Sequence, residues 1–520
     1  MFSRDGGTTR VLALVAIVLA AILAFATAYL FLATPGNVNN ADVEFDERAP
    51  TIETPAPEGT GGQPSGDAFH WPFYGLTAQR TKYLPLKRKL KPPFVERWRM
   101  TGRILLEFTP SLCGRRLFLL KNNGALYGLS RQTGKILWKR KLGYLAASSP
   151  ACNEKTVYAV LLSRRKGVNA GRVVAVSSTS GRTIWSRNLA SRSESSPLLL
   201  DGRLYFGSEN GTIYNLRARD GQVRWKTRNG GAVKGGLAAD GGRLFYGDYS
   251  GAVTAIDRGT GKRVWRTGTS GGRFGLSSGT FYGTPAIAYG RLYIGNTDGF
   301  AYSFGLRSGK LAWRHKTGGY VYSSPAVSDA QGGTVFIGSY DRSIYALNAR
   351  SGAVRWRHRT KGRVVGGPAV IGNLVFYSDL GATATYALGV NTGKMLWSVD
   401  RGAFNPVISD GTRIYLNGYS SLYMYTERGR RPDGSLTTAG RKRIAALALA
   451  RAAERRQRYV GRRVEQRRQA VREASRLRRA GTKVCFRSNG KTVCRVPRPV
   501  VCFQPQDGRV VCRARAARKR

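Results

Sequence analysis

Histidine and acidic residues are scarce in this 520-residue chain. The three histidines, His70, His315 and His358, leave little material for a histidine metal site. Thirty Asp and Glu stand against 85 Lys and Arg, a formal net charge of +55. No Ser/His/Asp set, phosphate-cradling glycine loop or paired-carboxylate site is recognisable among them. Such a positive field attracts polyanions: nucleic acid, anionic lipid or acidic envelope polymers. The plainer account is an arginine bias spread over most of the chain. Cysteine is also sparse, but its count of six is even, which suits an oxidising compartment for an exported chain.

Glycine and tryptophan, by contrast, are placed with regularity. The stretch Ala255-Ile256-Asp257-Arg258-Gly259-Thr260-Gly261-Lys262-Arg263-Val264-Trp265 reads as a strand end, a tight Thr-Gly turn and a short strand. Its skeleton recurs as Gly134…Trp138, Gly181…Trp185, Gly221…Trp225, Gly309…Trp313, Gly352…Trp356 and Gly393…Trp397. Counting from Trp98, successive tryptophans lie 40, 47, 40, 40, 48, 43 and 41 residues apart. That period belongs to a four-stranded propeller blade. Seven complete units end at Trp138 through Trp397, with an orphan strand at Trp98 before them. Three orphan strands follow, at 403–409, 413–418 and 421–426. Together the orphans make an eighth blade closed by both ends of the repeat, which leaves no open edge.

The eight tryptophans (Trp98, Trp138, Trp185, Trp225, Trp265, Trp313, Trp356 and Trp397) are read as packing residues between blades. Basic residues follow them, as in Lys139-Arg140-Lys141 and Arg357-His358-Arg359. On an outermost strand such charges block edge-to-edge pairing; a cationic belt around the rim is the functional alternative.

Residues 11–33 form an uncharged apolar run. As a helix it measures about 35 Å, enough to cross a bilayer. Ala26-Thr27-Ala28 imitates a signal-cleavage site, but the run is longer than a signal-peptide core. A retained anchor is expected, with residues 1–10 in the cytoplasm and the bulk of the chain outside it. Residues 34–66, rich in Pro, Gly, Thr and acids, read as a flexible linker. The propeller is assigned to 67–430.

Beyond it, residues 431–480 lose glycine and gain Ala and Arg, predicting a basic helix with a break near Gly461. From Arg428 to Arg520 there are 29 Lys and Arg against 5 Asp and Glu. Candidate polyanion-binding residues are Arg441, Lys442, Arg443, Arg455, Arg456, Arg462, Arg463, Arg467 and Arg468, since guanidinium groups make bidentate contacts with phosphate or carboxylate. A solvated tail is the bland alternative.

Residues 481–520 hold two hairpin signals. A two-residue turn at Asn489-Gly490 places Cys485 opposite Cys494, and a three-residue loop ending at Gly508 does the same for Cys502 and Cys512. Two disulfide-stapled hairpins are expected. Zinc is the rival, although the cysteine gaps are wide for a zinc knuckle, and cross-pairing between the hairpins stays open. Cys113 and Cys152 occupy similar first-turn positions in neighbouring blades and are candidates for an inter-blade disulfide.

Between about residues 70 and 427 the repeat, with Ala255-Ile256-Asp257…Thr260-Gly261…Trp265 as its clearest copy, resembles the quinoprotein-type, PQQ-binding-like propeller family. The resemblance implies an all-β, eight-bladed fold and two functional branches: pyrroloquinoline-quinone dehydrogenases, and non-catalytic scaffolds such as the propeller of the outer-membrane β-barrel assembly machinery. The enzyme branch implies a calcium held by Glu, Asn and Asp, a catalytic Asp and often a disulfide between adjacent cysteines. Here no two cysteines adjoin, and the carboxylates Glu194, Glu209, Asp240, Asp248, Asp257, Asp298, Asp341 and Asp379 mostly fall at turn positions. The scaffold branch is lipid-anchored at a cysteine after its signal, whereas the first cysteine here is Cys113.

The expectation is therefore a single-pass, extracytoplasmic scaffold that binds an envelope protein through a propeller face and anionic polymer or lipid through its tail. No cofactor is expected, PQQ with calcium entering only under the dehydrogenase alternative. Nucleic acid is not an expected partner outside the cytoplasm.

Overall fold

The computed structural model describes residues 6–32, 36–48, 69–228, 230–269, 279–431, 435–479, 484–488, 491–495, 500–503 and 511–514. Two units separate, Met1–Ser435 and Leu436–Arg520. The first begins with helix α1 (Gly6–Leu32), then the short strands β1 (Val38–Asn39) and β2 (Tyr83–Leu84), then β3 (Phe94–Met100).

Short β-branched and aromatic runs between glycine turns then fold as antiparallel four-stranded sheets. Blades 1 to 7 span 111–141, 151–188, 198–228, 238–268, 286–316, 326–359 and 369–399. Blade 8 takes Val407–Ser409, Arg413–Asn417 and Leu422–Glu427 from the end of the repeat, and its outermost strand is β3. Phe94 pairs with Glu427 and Met100 with Leu422, so both ends of the repeat lock into one sheet. This is the closure expected from the orphan strands.

A bulge recurs between the third and fourth strands of all seven complete blades. In blade 4 Ala255 opposes Trp265 and Ile256 opposes Arg263, leaving Val264 as the extra residue. Bulges bend a strand and re-aim its side chains. Here the tryptophan is turned toward the following blade. Trp138 donates its indole N–H to Ser178 O at 2.9 Å, Trp185 to Ala218 O at 2.8 Å and Trp225 to Arg258 O at 3.1 Å. Trp265, Trp313 and Trp356 repeat the contact with Leu306, Ala349 and Val390, and Trp98 carries it from blade 8 to Arg131 of blade 1. Trp397 faces blade 8, whose outermost strand is borrowed, and meets Phe94 edge-on at 5.2 Å instead.

Two N-terminal segments decorate this ring. Residues 36–48, within the stretch read from sequence as a flexible linker, are docked. β1 pairs with the outermost strand of blade 5, Val38 opposite Arg314 and Asn39 opposite Trp313. It docks here because the outermost strand of blade 5 offers unpaired backbone and because Arg291 and Arg314 donate to its carbonyls. Residues 49–66 lie outside the described residues. The second segment, 69–90, lies on the inner strands and shapes the channel.

Among the described residues no helix is long and apolar enough to cross a membrane. The side chains described in α1 are those of residues 11–27, all exposed. In the second unit α2 (Thr438–Arg479) runs unbroken through Gly461, contrary to the expected break. One glycine costs a helix only about 1 kcal/mol, and the Arg-, Ala- and Glu-rich flanks offset it. Two hairpins follow, Val484–Ser488 with Lys491–Arg495 and Val500–Phe503 with Val511–Ala514. Their registers set Cys485 opposite Cys494 and Cys502 opposite Cys512, as expected. The cysteine side chains lie outside the described residues.

Candidate functional site: the central channel and its mouth

The innermost strands of a propeller present backbone edges to a central channel, and those groups need partners. Here residues 71–84 supply them, acting as a collar. Carbonyls of Pro72, Ala78, Gln79, Thr81 and Lys82 accept from Cys152, Ala239, Ile287, Val327 and Val370, which belong to blades 2, 4, 5, 6 and 7. Trp71 bridges Leu112 of blade 1, and β2 runs parallel to the first strand of blade 7. Following successive blades requires sharp changes of direction. Arg80 and Lys82 accordingly adopt left-handed backbone, with φ of 59° and 50°. At Gly75 (φ 95°) a β-carbon would stand 2.8 Å from the Arg80 Cα, so this close approach needs glycine.

The collar sends two cations into the channel. Arg80 donates to Leu237 O at 2.8 Å, to Ser196 O at 3.2 Å and to Tyr74 O. Lys82 Nζ donates to Ser324 O at 2.9 Å and lies 4.6 Å from the centre of the Tyr74 ring. Burial pulls the Arg80 guanidinium down to about 9 and the Lys82 ammonium well below its ordinary value. Both cations are spent on main-chain carbonyls.

Above them lies a small cavity with about 40 Å³ of room, lined by Tyr74, Glu107, Glu194, Lys234, Tyr282 and Asn405 among others. Lys234 Nζ stands 2.9 Å from Glu194 and 3.3 Å from Glu209, while Arg192 approaches Glu209 at 3.4 Å. Tyr282 donates its hydroxyl to Glu194 at 3.1 Å. Asn122 donates to Glu107 at 3.2 Å. Burial pushes the Glu194 carboxyl up, with Lys234 opposing. It pushes Glu107 up as well, and Tyr282 far above the phenol range. Burial disfavours the Lys234 charge, yet Glu194 outweighs it and holds the ammonium above its ordinary value. The result is a ring of paired charge able to exchange hydrogen bonds with a polar group entering the mouth.

Of the eight carboxylates singled out from sequence, Glu194 stands at the mouth outside any turn, and Glu209 reaches Lys234 there from the 208–211 turn. Asp257, by contrast, accepts from Thr260 N at 2.8 Å, as a turn residue does. Sequence reasoning missed Glu107, Lys234 and the collar cations. The one available signal was the aromatic cluster Trp71-Pro72-Phe73-Tyr74-Gly75 leading to Arg80, too dense in large side chains for a linker.

The cavity at the mouth does not fit pyrroloquinoline quinone: a pocket for a flat tricarboxylate needs about 300 Å³ or more, against the 40 Å³ there. A second hollow against the collar, lined by Phe73, Gln79, Leu199, Asp240 and Arg258 among others, has about 420 Å³. The nearby cations are already engaged, and among the described residues no three His, Cys, Asp or Glu cluster closely enough to hold a metal.

Cys113 and Cys152 join blades 1 and 2 through a disulfide. The predicted basic residues of α2 are exposed, with the side chain of Arg467 outside the described residues. The arginines and lysines after each tryptophan mostly lie exposed on outermost strands, for example Lys139, Arg140 and Lys141.

No curated protein sequence matches this chain. Among solved structures, BamB from Moraxella catarrhalis superposes with a TM-score of 0.52 at 17% identity, over 64% of this chain and 100% of that one. The quinohemoprotein alcohol dehydrogenase ADHIIG from Pseudomonas putida HK5 gives 0.58 at 14% identity, covering 71% and 81%. That from Comamonas testosteroni gives 0.58 at 13%, covering 71% and 82%. At these identities the likeness concerns the fold alone. The sequence profile described as outer membrane protein assembly factor BamB matches residues 95–228, 169–320 and 303–518. These overlapping stretches span most of the chain, which belongs to the outer membrane protein assembly factor BamB family.

Proposed function

We propose that this chain is a membrane-anchored, extracytoplasmic propeller acting as a non-catalytic binding or scaffold module for envelope proteins. The observation that carries the reading is the collar. Residues 71–84 satisfy the inner strands and leave a cavity of only about 40 Å³ at the channel mouth. The loops and faces of a rigid ring are left as the working surface. The family's description, an assembly factor of the outer membrane, supports envelope proteins as the partner class.

The anchor we propose is α1: its 27 residues measure about 40 Å, of which the stretch with described side chains, 11–27, makes up about 25 Å and by itself falls short of a full span. The side chains of residues 11–27 are exposed and, Thr27 apart, apolar, Leu23 at 71% and Phe25 at 74%. Aliphatic surface of that extent is unfavourable in water and at home in lipid. The Cys113–Cys152 disulfide suits an oxidising compartment. Exposed arginines on α2 favour a salt-sensitive attachment to anionic polymer or lipid.

Crosslinking in native membranes tests the scaffold reading, comparing the full chain with one ending at Ser435. Recovery of the same envelope proteins by both assigns recognition to the propeller. Capture that disappears with the tail, and with added salt, assigns it to the basic helix.

The resemblance in fold to quinohemoprotein dehydrogenases favours one rival, a quinone-dependent dehydrogenase. Incubation of the full chain with pyrroloquinoline quinone and calcium is expected to produce neither dye reduction nor bound quinone. Turnover of an alcohol would overturn the scaffold reading.

A further inference from the structure

The docked segment 36–48 behaves as a strap. It enters where the outermost strand of blade 5 ends: Gly36 O accepts from Arg314 Nε at 3.0 Å, and Asn37 Oδ1 accepts from Lys316 N at 2.7 Å. β1 then runs antiparallel down the blade, and Asn40 donates to Ala312 O at 2.7 Å. At the far end Arg291 holds the carbonyls of Val43 and Glu44, and the Glu44 carboxylate accepts from the backbone of Arg307 and Ser308 at 3.1 Å. Phe45 stacks on Tyr289 at 5.3 Å.

The direction of the strap is informative. The end of blade 5 nearest α1 is the end from which the 317–325 loop departs. Four peptide steps separate Leu32, the last residue of α1, from Gly36, a reach of about 15 Å at most. With α1 in the bilayer, this corner of the propeller is held at the headgroup region.

Its composition suits that position. Tyr320, four residues beyond Lys316, is 54% exposed. It packs against Tyr322 and Tyr340, at 6.2 and 6.0 Å between ring centres, and Arg363 covers Tyr340 at 5.2 Å. Arg342, Lys361 and Arg363 are exposed around them. Tyrosine favours the membrane–water boundary because its ring is apolar and its hydroxyl polar. Lysine and arginine there attract anionic headgroups.

We propose that Tyr320, Tyr322 and Tyr340 with Arg342, Lys361 and Arg363 form an interfacial patch that rests on an anionic bilayer, pressed there by the 36–48 strap. The inference rests on α1 being the anchor.

The test uses the full chain in nanodiscs of phosphatidylcholine, with and without phosphatidylglycerol. A water-soluble acetylating reagent reads Lys361, with the exposed Lys262 on the opposite face as internal control, by mass spectrometry. One cation at an anionic surface is worth about fivefold. Acetylation of Lys361 is therefore expected to slow by about that factor when phosphatidylglycerol is present, while Lys262 is unaffected. The Arg342→Ser/Arg363→Ser variant, altered only at exposed positions, is expected to lose most of that protection. Carbonate washing of vesicles separates the two failures. A chain washed off overturns the anchor and the patch together. A chain retained while Lys361 and Lys262 respond alike overturns the patch alone, leaving those tyrosines to a protein partner.

Discussion

Trp225 lies against Gly261 of the following blade: a β-carbon at Gly261 would stand 2.8 Å from its Cε3, and the indole N–H reaches Arg258 O at 3.1 Å. Trp185 meets Gly221 and Trp313 meets Gly352 in the same way. The glycine and tryptophan that recur four residues apart thus serve two different interfaces. From Trp98 to Trp356 each tryptophan covers the glycine of the next repeat, and in blades 1 to 7 the glycine four residues before a tryptophan is covered by the tryptophan of the preceding blade. That chain of contacts accounts for the invariant spacing.

Gly261 has φ of 74°, so both space and backbone oppose a side chain. Gly261→Ala is expected to destabilise the propeller by about 2 kcal/mol, through left-handed strain and overpacking. Trp225→Ala should cost about 3–5 kcal/mol. Urea unfolding followed by circular dichroism measures both. A loss of under half a kcal/mol at Gly261 would contradict the wedge.

The Cys113–Cys152 bridge spans 39 residues of sequence. Closing a loop of that size restricts the unfolded chain by about 3–4 kcal/mol. The Cys113→Ala/Cys152→Ala variant should therefore unfold at lower urea, and added reductant should shift the wild type toward it while leaving the variant unmoved.

Asp410 forms the ionic joint between blades 8 and 1. Its carboxylate lies 2.7 Å from Arg131 and 2.6 Å from Arg413, with all three side chains fully buried. Burial alone would raise the carboxyl, but the two guanidinium groups hold it below its ordinary value. A folded value below the unfolded one makes the joint stabilising above the unfolded value, near pH 4. That contribution is lost as pH falls through the folded value. Asp410→Asn, which leaves two buried cations uncompensated, should cost about 3–5 kcal/mol at neutral pH. It should also flatten the acid limb of a stability-against-pH curve; an unchanged limb would exclude Asp410 as its source.

The strap depends on Glu44 and Phe45. Gly305 leaves room for Glu44, whose carboxylate would have to shift to admit a β-carbon there. Glu44→Ala/Phe45→Ser should expose residues 36–48 to limited proteolysis, with the propeller itself remaining resistant. Equal cleavage of wild type and variant would show that the segment is not held by these contacts.

Much of the architecture was legible because it is periodic. A strand buried on a fixed face, a turn needing left-handed glycine and a tryptophan between blades impose the same residues every 40 to 48 positions. The eighth blade followed from the strands left over, and the cysteine registers Cys485–Cys494 and Cys502–Cys512 from turn length. These are local rules, so the amino-acid order alone determines them.

The channel mouth, the collar and the strap obey no such rule. Glu194 and Lys234 are 40 residues apart, and Tyr282 is 88 from Glu194. Glu44 finds Ser308 across 264 residues. The collar bonds to blades scattered over most of the ring. Each such contact occurs once, between segments with no shared pattern. Only closure of the ring brings them within hydrogen-bonding distance, and only then does burial shift the proton affinities of Glu107 and Glu194. Repeated short-range packing was written in the sequence; unique long-range encounters were decided by the tertiary structure.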